Sequence, residues 1–129
     1  MLSLEIKDAD GRWLGEAAAL FDDEVLDYLA ALPGFPGLEA LCRLDRDGET
    51  LLAPDLREAL AAELAGLAPR VRRRDLPEPP AWVGLEGTGD IRLGDPLGWP
   101  GLADLLGRTG RLLALARRPG MELWALGDE

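Results

Sequence analysis

The sequence predicts an α+β fold: an antiparallel sheet built from hairpins, covered on one face by two main amphipathic helices, with a long Pro/Gly-rich loop. Three observations carry the prediction. Short runs of alternating apolar residues are broken by Asp-x-Asp-Gly corners at 8–11 and 45–48. Two segments, 22–32 and 54–68, place leucines at helical spacing. Six of the ten prolines and six of the sixteen glycines fall within 69–101, which no long regular element tolerates.

Taken in order, residues 2–7 alternate in period two, 8–11 turn with Gly11 available for a left-handed position, and 12–15 return as the second strand of a hairpin. Asp22, Asp23 and Glu24 then put three acids where a helix macrodipole favours them, ahead of Val25, Leu26, Leu29 and Leu32. Pro33 and Gly34 end that helix. Residues 38–44, the corner 45–48 and residues 49–52 form a second hairpin. The clearest helix begins with Pro54 at its first position, with Asp55 and Glu58 in the opening turns. Its stripe is Leu56, Leu60, Leu64 and Leu67, and it is expected to stop near Ala68, before Pro69. Strand, corner, strand and helix recur with an offset of 37 residues, a hint of a repeated ββα layout. Within 69–101, residues 82–85 and 90–93 read as short strands of an ordered loop. A short helix over 102–106, entered through Pro100, and a third hairpin about Pro119-Gly120 complete the chain. The expected organisation is a single domain over 1–129: hairpin-helix-hairpin-helix over 1–68, loop over 69–101, and short helix with C-terminal hairpin over 102–129.

The chain has 129 residues, 47% of them apolar and 29% charged, which suits one core burying about 65 to 70% of the unfolded surface. No stretch is apolar over a membrane-spanning length, and charges by the fifth residue argue against a signal peptide, so a cytoplasmic location is expected. Cys42 is the one cysteine, sits within an apolar alternation and can form no internal disulfide. The formal charge is −10, and it is one-sided. Residues 1–69 hold 15 acids against 5 bases, whereas 70–129 hold 9 of each. Such a field repels nucleic acid and anionic lipid and steers a basic protein partner, besides keeping the chain soluble.

The paired aspartates are a poor cation loop. Aligning Gly11 or Gly48 with the sixth position of an EF-hand loop puts Ile6 or Arg43 at the first position and Ala17 or Pro54 at the twelfth, so no metal site is expected. Asp side chains that hydrogen-bond their own backbone, followed by a glycine, suffice to explain the corner. Histidine is absent, which rules out Ser-His-Asp and Cys-His catalysis and leaves zinc without imidazole ligands. Ser3 is the only serine and Cys42 has no imidazole to activate it. A carboxylate-only enzyme would need a buried, perturbed Asp or Glu pair. In GLEGTGDIRLG, Arg92 stands where a dinucleotide fingerprint needs its third glycine, and no cofactor is expected. Arg70 and Arg72 to Arg74 lie where cations complement the C-terminus of the strong helix, with a phosphate patch as the sharper reading. Trp13 and Trp124 fall in hairpin strands, while Trp82 and Trp99 fall in the loop, where an exposed indole makes an interface anchor.

CRLDRDGETLLAPDLREALAAEL, followed at the C-terminus by ELWALGD, resembles a group of small bacterial proteins without an assigned function. The shared positions are Asp45, Gly48, Thr50, Leu123, Trp124, Gly127 and Asp128, about a third of the chain being covered. Glu49 departs from that pattern, as do Leu51 and Leu52. The resemblance implies the hairpin-helix layout and no activity.

These observations lead to the expectation of a non-catalytic interaction module, of inhibitor or immunity type, acting on a basic protein. Asp22, Asp23, Glu24 and Asp27, with Trp82 and Trp99, are the expected partner-binding residues. The alternative is a small-molecule or nucleotide-binding regulatory domain using a cavity between the sheet and 69–101. An exposed hairpin edge leaves self-association as a homodimer open.

Overall fold

In β1 (Leu2–Lys7) the alternation of LSLEIK puts Leu2, Leu4 and Ile6 on one face, all fully buried. The computed structural model describes residues 1–15, 18–32, 39–42, 44, 47–83 and 95–127. β1 is joined by β2 (Ala19–Phe21), β3 (Glu49–Leu51) and β6 (Glu122–Gly127) in a four-stranded antiparallel sheet of order β2-β1-β6-β3. The pairs Leu4↔Ala19, Leu4↔Ala125 and Ile6↔Leu123 fix the register. Ala19, Phe21, Leu123 and Ala125 therefore share the buried face with the β1 leucines. An α+β architecture with an antiparallel sheet and helices on one face is the observed class.

The helices cover that face in two tiers. α4 (Gly98–Ala116) packs on β1, β2 and β6, and α3 (Pro54–Arg72) packs on α4. α1 (Asp23–Ala30) contributes Val25, Leu26 and Leu29 to the same core. α2 (Glu39–Cys42) bridges α1 and α3, and a separate two-stranded ladder joins β4 (Trp82–Val83) to β5 (Asp95–Pro96). No helix among the described residues is long and apolar enough to cross a membrane.

Several expectations are corrected. The first hairpin is interrupted: its return is a single bridge from Lys7 to Trp13, with Leu14 N–H donating to the Ile6 carbonyl at 2.8 Å, and β2 pairs with β1 beyond it. Among the described residues the second hairpin is not formed. Residues 39–42 are helical, the Glu63 carboxylate accepting from the Ala40 N–H that a helix start leaves unpaired, at 3.2 Å. β3 instead pairs with β6, Leu51 opposite Trp124. α3 passes through Pro69 to Arg72 because Val71 is buried below it. Residues 102–106 are one part of a 19-residue helix, and the first run of the supposed third hairpin is its last turns. Leu102, Leu106, Thr109, Leu112, Leu113 and Ala116 form its buried stripe, and Thr109 satisfies its hydroxyl on the Leu105 carbonyl at 2.8 Å. Among the described residues the elements around the two corners therefore differ, and no ββα repeat is formed. Of the two expected loop strands, 84–85 and 90–93 lie outside the described residues, as do Pro33, Gly34 and Asp45.

Candidate functional site

The first corner folds as its residues dictate. Asp8 Oδ1 accepts from the backbone N–H of Asp10 and of Arg12, each at 2.9 Å, and Gly11 takes φ +79°. Both lone-pair directions of that oxygen are thus directed to its own turn. Beyond Gly48, whose carbonyl accepts from Gly127 N–H at 2.7 Å, the second corner leads into β3 rather than joining paired strands. Among the described residues there is no group of three or more His, Cys, Asp or Glu able to hold a metal ion. The Tyr28 phenol, donating to the Pro77 carbonyl at 2.6 Å, is pushed up by burial.

Among the described residues, the helices pack on one face of the sheet only, and the register brings a defined set of side chains together on the other. One row across the strands is Leu20, Ser3, Leu126 and Glu49; the next is Glu5, Trp124 and Leu51; Lys7 follows, with Trp13 on one side and Glu122 on the other. Leu20 is 52% exposed, Leu51 48% and Trp13 45%, so this face is wet although much of it is apolar. Trp13 meets Trp124 edge to face at 6.3 Å, and the Lys7 ammonium lies 5.3 Å from the centre of the Trp13 ring. Trp124 Nε1 is buried without a hydrogen-bond partner. Ser3 Oγ donates to Glu5 Oε2 at 3.1 Å, which holds that carboxylate against the sheet.

The acidic residues expected to meet a partner follow directly in the chain on the strand that carries Leu20. α1 starts two residues after β2, so Asp22, its N-cap, and Asp23, Glu24 and Asp27 continue from the strand that carries Leu20. The N-terminal ammonium lies 3.1 Å from Asp23 Oδ1. Trp82 is 49% exposed but belongs to the β4-β5 ladder. Trp99 is half-buried in the first turn of α4 and packs against the core. Neither indole is on the four-stranded sheet. Trp13 and Trp124 supply its aromatic surface instead, and Leu20, Leu51 and Leu126 complete it. The signal for those leucines was the second parity of each strand: once Leu4 and Leu123 point inward, Leu126 and Trp124 must point outward.

A concavity of about 500 Å³ lies between α3 and α4, its floor made by Leu64, Leu106 and Leu113. It continues into a second of about 360 Å³ beside Arg57, Arg117 and Arg118. Both concavities lie within the helical layer, while residues 84–94, which the expected cavity between the sheet and 69–101 would involve, lie outside the described residues. No family model, curated protein or solved structure matches the chain, so its site rests on this geometry alone.

Proposed function

We propose that this chain is a non-catalytic interaction module, of inhibitor or immunity type, that docks a basic protein on the open face of its sheet. The observation that carries the reading is the exposed cluster of Trp13, Leu20 and Leu51 around Trp124 and Leu126. Surface apolar residues grouped in this way mark contact sites, whereas scattered ones carry no such meaning. Charge selects the occupant. Glu5, Glu49 and Glu122 share the face with Lys7 as its basic residue, so a second copy stacked face to face would bring like charges together. A basic surface with an apolar centre complements both features.

The test is to measure captured partners against variants of the face. Leu20→Arg and Leu51→Arg put cations on exposed positions and are expected to leave the melting temperature nearly unchanged, since surface substitutions shift stability by about 0.5 kcal/mol or less. They are expected to abolish stoichiometric binding of a partner of high isoelectric point. Retained binding in both variants, or sedimentation showing that only a homodimer forms, would overturn the reading.

A further inference from the structure

α3 and α4 run antiparallel, since Arg57 Nη1 donates to the Ala116 carbonyl at 2.8 Å near one end while Leu64 lies against Gly110 farther along. Between them the groove keeps open because its walls are small: Ala65, Ala68, Gly107 and Ala114 rise beside the leucine floor. A Cβ at Gly110 would come to 3.4 Å from Leu64 Cδ2, close to ordinary contact with the end of that side chain. From Ala61 to Arg72 the lining extends about 16 Å along α3.

One end has a different chemistry. Arg57, Arg117 and Arg118 line it together with Glu58 as its carboxylate, in a chain whose overall charge is −10. Glu58 lies 3.5 Å from Arg117, both side chains being mostly exposed, an arrangement of little strength in water. Arg57 is held by its bond to Ala116, and its Nε is buried without a partner. With Nη1 engaged, Nη2 is left to donate, beside Arg117 and Arg118, to a carboxylate or phosphate. The two concavities share Ala61, Leu113 and Arg117, so the apolar groove and the cationic end are continuous. Concave sites of this size, mostly apolar and with a few convergent polar groups, are the usual form of a small-molecule site.

We infer that the α3-α4 groove binds a monomeric amphiphile: an unbranched apolar chain along the leucine floor and one anionic head, carboxylate or phosphate, on Arg57 and Arg118. This site is on the helical layer and does not depend on the open sheet face.

The experiment titrates the whole purified chain with laurate, dodecyl phosphate, dodecanol and dodecyltrimethylammonium, all below their micelle concentrations, by calorimetry and thermal shift. Laurate or dodecyl phosphate is expected to bind one per chain and to raise the melting temperature, with the uncharged and cationic analogues about tenfold weaker or more. Arg57→Gln and Arg118→Gln are each expected to cost the anionic ligands about tenfold while leaving dodecanol unchanged. Ala65→Trp, at an exposed groove position, is expected to block every ligand while the chain stays folded by circular dichroism. Ala103→Trp does the same from α4 and guards against one variant failing to fold. Absence of saturable binding, equal affinity for the cationic analogue, or undiminished binding to folded Ala65→Trp and Ala103→Trp would overturn the inference. A vesicle arm separates the sources of the same headgroup: capture by phosphatidylglycerol vesicles that Arg57→Gln abolishes, with no uptake of monomeric laurate, would overturn the free-amphiphile reading.

Discussion

Two glycines with the same backbone conformation have different reasons to be glycine. Gly11 and Gly120 hold φ of +79° and +82°. At Gly11 the nearest atom to an added Cβ is the end of the Lys7 side chain, Cε at 3.9 Å, whereas at Gly120 it is Ala9 Cβ at 2.9 Å. The left-handed conformation costs an alanine about 1 to 2 kcal/mol at either place. Gly11→Ala is therefore expected to lose about 1 kcal/mol and Gly120→Ala about 2 to 3 kcal/mol, because overpacking adds to strain. Urea denaturation of both variants checks the order, and equal losses would show that Ala9 gives way without cost. Tyr28 provides a second test at this scale, being the only tyrosine. Burial raises its pKa above the ordinary value of 10.0, so the folded chain holds the phenolic proton more tightly than the unfolded one. Its contribution is complete below about pH 10 and is lost as pH rises through the folded pKa. Tyrosinate difference absorbance is expected to show a higher midpoint for the native than for the denatured chain. Tyr28→Phe is expected to flatten the alkaline fall in stability and to cost about 1 kcal/mol at neutral pH, through loss of the bond to Pro77.

At the scale of elements, the strongest periodicities were legible and the weaker ones were overruled by partners distant in sequence. The leucine stripe of α3 and the alternation of β1 and β6 follow directly from the spacing of their residues. α4 was hidden because Gly107 and Gly110 look like helix breakers, yet the buried stripe from Leu102 to Ala116 outweighs their backbone entropy, about 1 kcal/mol each. β3 was placed beside the wrong strand for a related reason. A corner of good turn residues suggests a local hairpin, while the actual partner, β6, lies more than 70 residues away and is identifiable only once the sheet closes. Pro69 is a measurable case of the same competition. Its ring carries no N–H to bond to Ala65, but burial of Val71 and the bond from Arg73 N–H to the Pro69 carbonyl at 3.1 Å keep the last turn helical. Pro69→Ala restores the missing donor and is expected to stabilise the chain by about 1 to 3 kcal/mol. Thermal denaturation followed by circular dichroism measures it; a loss would mean that the stiffness proline gives the unfolded chain outweighs the missing bond.

For the whole molecule, the acidity of residues 1–69 was plain in the sequence, but the apolar surface beside it was not. Leu20 and Leu51 read as ordinary apolar residues, and only the strand order β2-β1-β6-β3 places them on the same open face as Trp124. The α3-α4 groove was hidden for the same reason, since it requires the antiparallel pairing of two helices that lie far apart in the chain. Acidity and apolar surface together imply opposite responses to salt. Among the described residues, the ion pairs Met1–Asp23, Arg70–Asp75 and Arg117–Glu58 are partly or mostly exposed and worth little, and the formal charge of −10 adds self-repulsion. Raising salt from 0.01 M to 0.15 M shortens the screening length from about 30 Å to about 8 Å, and the melting temperature of the isolated chain is expected to rise. The same change removes the long-range attraction of the proposed basic partner, so its association rate is expected to fall by about tenfold or more, while dissociation, on the proposed apolar contacts of Trp13, Leu20 and Leu51, is expected to change little. Stopped-flow association and thermal melts across one salt series measure both responses. A melting temperature that falls as salt rises would show that the exposed ion pairs outweigh self-repulsion, and an association rate indifferent to salt would remove charge from the docking of the open face.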